Sequence, residues 1–153
     1  VGVLDSTAEE PSSKLRRYII SGLIFLVLLA VGIWYVFRFE TEKKTVQAFM
    51  DAVVAGNFEE AYRLWKPAEA YTFNDFMEDW GPQGFYGPVR SYKITNASRP
   101  DGASGVIVTV EVSPDTPFPS NRETEKLPRI REVHLWVERK DQSLGFAPEF
   151  QLR

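Results

Sequence analysis

The chain has 153 residues, of which 44% are hydrophobic and 25% charged, and a net charge of −3. It contains no cysteine, which excludes disulfides, thiolate catalysis and cysteine-ligated zinc. The 109 residues from Thr45 onward carry 12 basic and 16 acidic side chains, without the clustered Lys and Arg that displace counterions, so no nucleic-acid partner is expected.

Residues 1–17 are short, polar and mixed, and read as a tail; the opening on Val1 points either to residues upstream or to a processed chain. From Tyr18 to Phe37 there are 20 consecutive residues without a formal charge. A helix of that length is about 30 Å long and matches the hydrocarbon core of a bilayer. The run is too long for a secretory h-region and has no Ala-x-Ala site at its end. Arg16, Arg17, Tyr18, Trp34, Tyr35 and Arg38 are the expected membrane-interface residues, with aromatics at headgroup level and basic groups snorkelling outward. The spectrum of roles for the span is narrow: it holds no ionisable group, so it is an anchor (residues 18–39) rather than an ion path. Lys14, Arg16 and Arg17 on one side balance Arg38, Lys43 and Lys44 on the other. The compact cluster abutting the span, and the short tail before it, favour a cytoplasmic N-terminus and a periplasmic C-terminal domain in a single-pass inner-membrane protein.

Helix is expected to continue through the charged junction after Arg38. Val46, Phe49, Met50, Val53 and Val54 then form one apolar stripe, stopped by Gly56-Asn57. Phe58, Ala61, Tyr62 and Trp65 mark a second short helix ended by Pro67, and Phe73, Phe76, Met77 and Trp80 a third, with Thr72 placed to cap it and Asp75 at its third position. Residues 81–88, GPQGFYGP, are a turn-rich connection. Beyond it the period becomes two. Strands are expected over 89–97, 105–112, 130–140 and 144–152, the last interrupted at Pro148, with a turn at Arg99-Pro100-Asp101-Gly102 and another at Asp141-Gln142-Ser143. The expected class is α+β: three helices covering the valine-rich face of a four-stranded, mostly antiparallel sheet, in one domain over 40–153.

Two segments are candidates for binding a protein partner. Trp80, Phe85 and Tyr86 surround a loop of glycine and proline, and aromatics with arginine dominate binding hot spots. The loop 113–128 carries four prolines and contributes Phe118 and Arg122. Asp75, Glu78 and Asp79 are the nearest approach to a carboxylate cluster, but no histidine or further acid stands at ligand spacing, so neither a metal nor a cofactor is expected. Gly81, Gly84 and Gly87 follow a helix rather than a strand, the wrong context for a phosphate-binding loop.

The phrase TVQAFMDAVVAGNFEEAYRLW, with the later WGPQGFYGPVRSYKI, resembles the NTF2-like superfamily, in particular small bacterial membrane-tethered members; the matching positions are Phe49, Ala52, Gly56, Ala61 and Tyr62. The resemblance implies a curved sheet wrapped on the helices as a cone with a pocket. In catalytic members it implies an Asp-His pair or several acids within that cone. Here the one histidine, His134, lies on the strand face opposite Val133 and Leu135, with Asp75 or Asp79 as the conceivable acid, so the chain is expected not to be an enzyme. The expected function is that of an accessory subunit of a larger integral membrane protein complex, respiratory or photosynthetic, supporting assembly or stability. The alternatives are a tethered small-molecule or peptide binding module, with a pocket lined by Phe76, Trp80, Val108 and Trp136, and an oxidase assembly factor, which the Tyr86-Gly87-Pro88-Val89 turn resembles.

Overall fold

The computed structural model describes residues 10–120 and 130–148. The chain divides into two units, one ending at Arg38 and the other beginning at Phe39.

The first unit is the helix α1, Glu10–Phe37. Every residue from Ser12 to Phe37 is exposed, including Leu23, Phe25, Leu26 and Leu28, each more than half accessible. A helix apolar on all sides has no polar face to turn toward water. Among the described residues it is the one helix long and apolar enough to cross a membrane. Near its C-terminal end the Arg38 guanidinium lies 4.2 Å from the centre of the Tyr35 ring, a cation–π pair suited to a headgroup layer.

The second unit is α+β. Its helices are α2 (Glu40–Val54), α3 (Phe58–Trp65) and α4 (Phe73–Trp80), followed by β1 (Ser91–Ser98), β2 (Gly105–Ser113), β3 (Arg131–Glu138) and β4 (Leu144–Phe146). The helical path into α2 passes a two-residue turn at Arg38 and Phe39, where Phe39 adopts φ −114° and ψ 19°. Phe39 is buried in the core of this unit at 8% exposure. The expected stripe of α2 is buried at Val46, Phe49, Met50 and Val53, whereas Val54 is exposed. The Thr72 hydroxyl accepts from Asp75 N at 3.2 Å and Asp75 Oδ2 accepts from Thr72 N at 2.9 Å, the reciprocal capping box that the spacing predicts.

The four strands form one curved antiparallel sheet in the order β1-β2-β3-β4. Val106, Val108, Val110 and Val112 of β2 lie on the core face with Val133, Leu135 and Val137 of β3. Register pairs Val108 with Leu135 and Val110 with Val133. Most of the expected strand bounds move, three of them by two residues or more. β1 starts at Ser91, two residues late: Gly87 N still donates back to Gly84 O, and Pro88 has no N–H to give a ladder; β3 ends at Glu138, where the turn toward Ser143 begins; β4 is three residues long, and the expected continuation past Pro148 lies outside the described residues. β1 also carries a bulge between Ile94 and Asn96, which leaves Thr95 unpaired in the ladder and its hydroxyl bonded to Thr109 O at 3.3 Å.

One face of the sheet is covered by a block of rings. Phe49 sits at its centre, 5.1 Å from Trp65, 6.1 Å from Phe76 and 5.1 Å from Trp80. The last two contacts are edge-to-face at 82°, which the ring quadrupoles favour. Phe58 and Tyr62 pack against this block half-buried.

Candidate functional site

The loop 81–88 folds back on the end of α4. Gly81 N, Phe85 N and Tyr86 N donate to Met77 O, Glu78 O and Asp79 O at 2.9, 2.8 and 2.8 Å. Carbonyls that a helix terminus ordinarily leaves without partners are thereby satisfied by its own following loop. So close an approach of backbone to backbone fixes the glycines: a Cβ on Gly87 would stand 1.8 Å from Gly81 O, one on Gly81 2.5 Å from Met77 O, and one on Gly84 2.8 Å from Asp79 C. The spacing of Gly81, Gly84 and Gly87 is explained by this packing.

The loop sorts its aromatics into two environments. Trp80, expected on a binding surface, is fully buried at 0% exposure and belongs to the core instead, because the returning loop and β4 close over it. Its indole is stacked against Tyr86 at 5.0 Å and Phe146 at 6.1 Å, and its Nε1–H has no hydrogen-bond partner among the described residues. Phe85 is 62% exposed. Tyr86 lies between them, half-buried, with its ring 4.8 Å from Phe85 at 89°. Burial, then the charge of Asp79, pushes the Tyr86 phenol above its ordinary pKa. From the sheet, Arg131 donates to Phe85 O at 2.5 Å and places its guanidinium 4.6 Å from the centre of the Phe85 ring. An exposed ring is thus held by its own backbone, by Tyr86 and by a cation. Arg131 was not foreseen, since it is 46 residues away from Phe85 in the chain. Phe118 is half-buried, and Arg122 lies outside the described residues.

The carboxylates near α4 are used structurally. Asp75 is tied into the cap, and the Thr72 backbone N–H and then its hydroxyl hold its carboxyl below the ordinary range. Asp79 accepts the Tyr71 hydroxyl at 2.6 Å. Burial, assisted by that bond and by the charge of Asp79, raises the Tyr71 phenol far above its usual value.

His134 does not meet Asp75 or Asp79. Its Nε2 is 2.9 Å from Glu132 Oε1 and its Nδ1 is 3.1 Å from Thr109 Oγ1. All three side chains stand on the sheet face opposite Val133 and Leu135, since residues alternate along a strand. The acid partner is the residue two positions back on the same strand. Trp136 lies on that face as well, its indole covering Gly105 and donating to Glu138 at 3.2 Å. It cannot line a pocket with Phe76, Trp80 and Val108, which are fully buried on the other face. Among the described residues no group of three or more His, Asp or Glu side chains is placed to hold a metal ion.

A second polar cluster joins the start of α2 to the β3–β4 turn. Glu42, 3% exposed, accepts from Arg139 Nε at 3.2 Å, Thr45 Oγ1 donates to Gln142 Oε1 at 2.7 Å, and Lys66 Nζ donates to Asp141 O. Bonded charge is the condition on which a carboxylate is buried at all.

No protein-family model, curated protein or solved structure matches the chain.

Proposed function

We propose that this chain is a non-catalytic accessory subunit of a larger integral membrane protein complex, respiratory or photosynthetic, which it helps to assemble or stabilise. In this reading α1 crosses the inner membrane once, with its N-terminus in the cytoplasm and the α+β unit in the periplasm, and that unit has the NTF2-like arrangement. The observation that carries the proposal is Phe85: a large apolar ring, 62% exposed, on a loop whose Gly81, Gly84, Phe85, Tyr86 and Gly87 N–H groups are all bonded and whose glycines leave it no room to relax. Ordering a side chain on binding costs entropy, and a ring already fixed by Arg131 and Tyr86 gives up little. Phe85, Tyr86 and Arg131 together have the aromatic-plus-arginine character of an interface centre. The non-catalytic reading is supported by the use already made of Asp75, Asp79 and His134 in caps and pairs.

The test is a photo-crosslinking residue at position 85, with another at Asp101, in the turn between β1 and β2, as control. In native membranes, position 85 is expected to give one discrete adduct with an integral membrane protein and position 101 none. Equal labelling from both positions, or no adduct at position 85 in membranes where the chain is abundant, would overturn the proposal.

A further inference from the structure

A groove of about 390 Å³ opens beside the first turns of α2, lined by Thr41, Lys44, Thr45, Leu64, Lys66 and Gln142. We propose that it binds the phosphodiester headgroup of an anionic phospholipid. The inference rests on the reading that α1 spans a bilayer and is independent of the protein partner.

Three observations converge. The first is charge and donor type. Lysines from two elements, Lys44 on α2 and Lys66 at the end of α3, line one groove with Thr41 and the apolar Ala48 and Leu64; Thr45 spends its hydroxyl proton on Gln142 Oε1, and no carboxylate is among the lining residues described. Lys66 Nζ donates to Asp141 O, and an ammonium has three donors, so two are left for a phosphate oxygen. The neighbouring carboxylate of Asp141 accepts from Ser143 N at 3.0 Å and also feels the charge of Lys66.

The second is backbone geometry. Lys66 stands in the left-handed region at φ 50° and ψ 62°, and Gln142 at φ 57°. They are the two non-glycine residues with positive φ among those described, and both line this groove. At a helix end such a position ordinarily takes glycine. Holding a lysine there against the backbone's preference is the mark of a side chain kept for a task.

The third is reach. Thr41 is the fourth residue after Phe37 and Lys44 the seventh. An extended chain covers at most about 3.6 Å per residue, so Thr41 lies within about 14 Å of the end of the span, close to the headgroup layer. An open, shallow groove binds weakly, and only a ligand supplied at high local concentration fills it. A bilayer supplies headgroups in this way to residues tethered at its surface, whereas a free phosphate ester is not so concentrated.

The full-length chain in nanodiscs of phosphatidylcholine with a minority of phosphatidylglycerol provides the test, with retained lipid counted by native mass spectrometry after gentle release. The wild-type chain is expected to retain phosphatidylglycerol in preference to phosphatidylcholine, and Lys44→Gln and Lys66→Gly each to reduce that retention about five-fold, the effect of one surface lysine. Lys66→Gly relieves the left-handed backbone, so its melting temperature is expected to hold or rise while lipid is lost, which separates loss of the site from loss of the fold. Unchanged retention in both variants, or equal retention of the two lipids, would overturn the inference. So would displacement of the lipid by soluble glycerophosphate at matched concentration, which would make the natural ligand a free phosphate ester. If the chain embeds in the discs without selecting phosphatidylglycerol, only this inference falls; a chain that does not embed removes the membrane reading as well.

Discussion

Trp80, the last residue of α4, and Phe85, in the loop that follows, are five residues apart, both large and apolar, and their fates are opposite: 0% and 62% exposed. The same contrast holds on a larger scale between the second unit, whose apolar side chains fill a closed ring-lined core, and α1, whose side chains are all exposed from Ser12 to Phe37. In both cases the buried member is enclosed by chain that returns over it, and the exposed member is left largely bare by the described residues. Bare apolar surface of this kind marks a lipid or protein contact.

Substitutions sharpen the contrast. Trp80→Ala is expected to have the largest effect, destabilising the second unit by about 3–5 kcal/mol in urea unfolding, the range for truncating a buried aromatic. Leu26→Ala in α1 is expected to leave that transition within about 0.5 kcal/mol of wild type. Gly87→Ala forces a methyl group against Gly81 O and is expected to cost about 1–3 kcal/mol. It should also loosen the Phe85 ring, visible as increased mobility of its aromatic NMR signals. Glu42→Ala removes the carboxylate that accepts from the half-exposed Arg139 guanidinium and frees the start of α2, at an expected cost of about 0.5–1.5 kcal/mol, read by urea unfolding and by faster amide exchange at the β3–β4 turn.

Acid stability is expected to change less. The folded-state pKa of Asp75 is lowered by the bonds from Thr72. Its contribution is therefore present above the ordinary aspartate value of about 3.9 and is lost as pH falls through the lower folded value. Asp75→Asn should flatten that acid limb of a melting-temperature profile while leaving neutral pH nearly as before, since an asparagine side chain can still accept from Thr72. Phe85→Ser is expected to have the smallest effect on stability, within about 0.5 kcal/mol, and to abolish the partner adduct formed from a photo-crosslinking residue placed instead at the exposed Gln83 of the same loop.

Periodicity made much of this architecture legible. The alternation of Val106, Val108, Val110 and Val112 and the helical spacing of Phe49, Phe76 and Trp65 each name a buried face, and the structure buries those faces. The Thr72–Asp75 cap was legible for the same reason, since its partners are three residues apart. What was not legible depends on distant chain. Ile107 is buried although its alternate position assigns it to the other face; β2 is flanked by β1 and β3, and neighbouring side chains cover the residue on both sides. Glu42 and Arg139 are separated by 97 positions, and nothing local marks the glutamate as buried. Trp80 was misplaced because a glycine- and proline-rich connection ordinarily runs over the surface, while this one folds back to seal its own helix.

The membrane role depends most on α1 lying in lipid. Membranes carrying the full-length chain, extracted with alkaline carbonate alongside a chain beginning at Phe39, test it directly. The full-length chain is expected to stay with the membrane pellet and the shorter one to enter the supernatant as a cooperatively folding protein. A full-length chain released by carbonate and monodisperse without detergent would contradict the account.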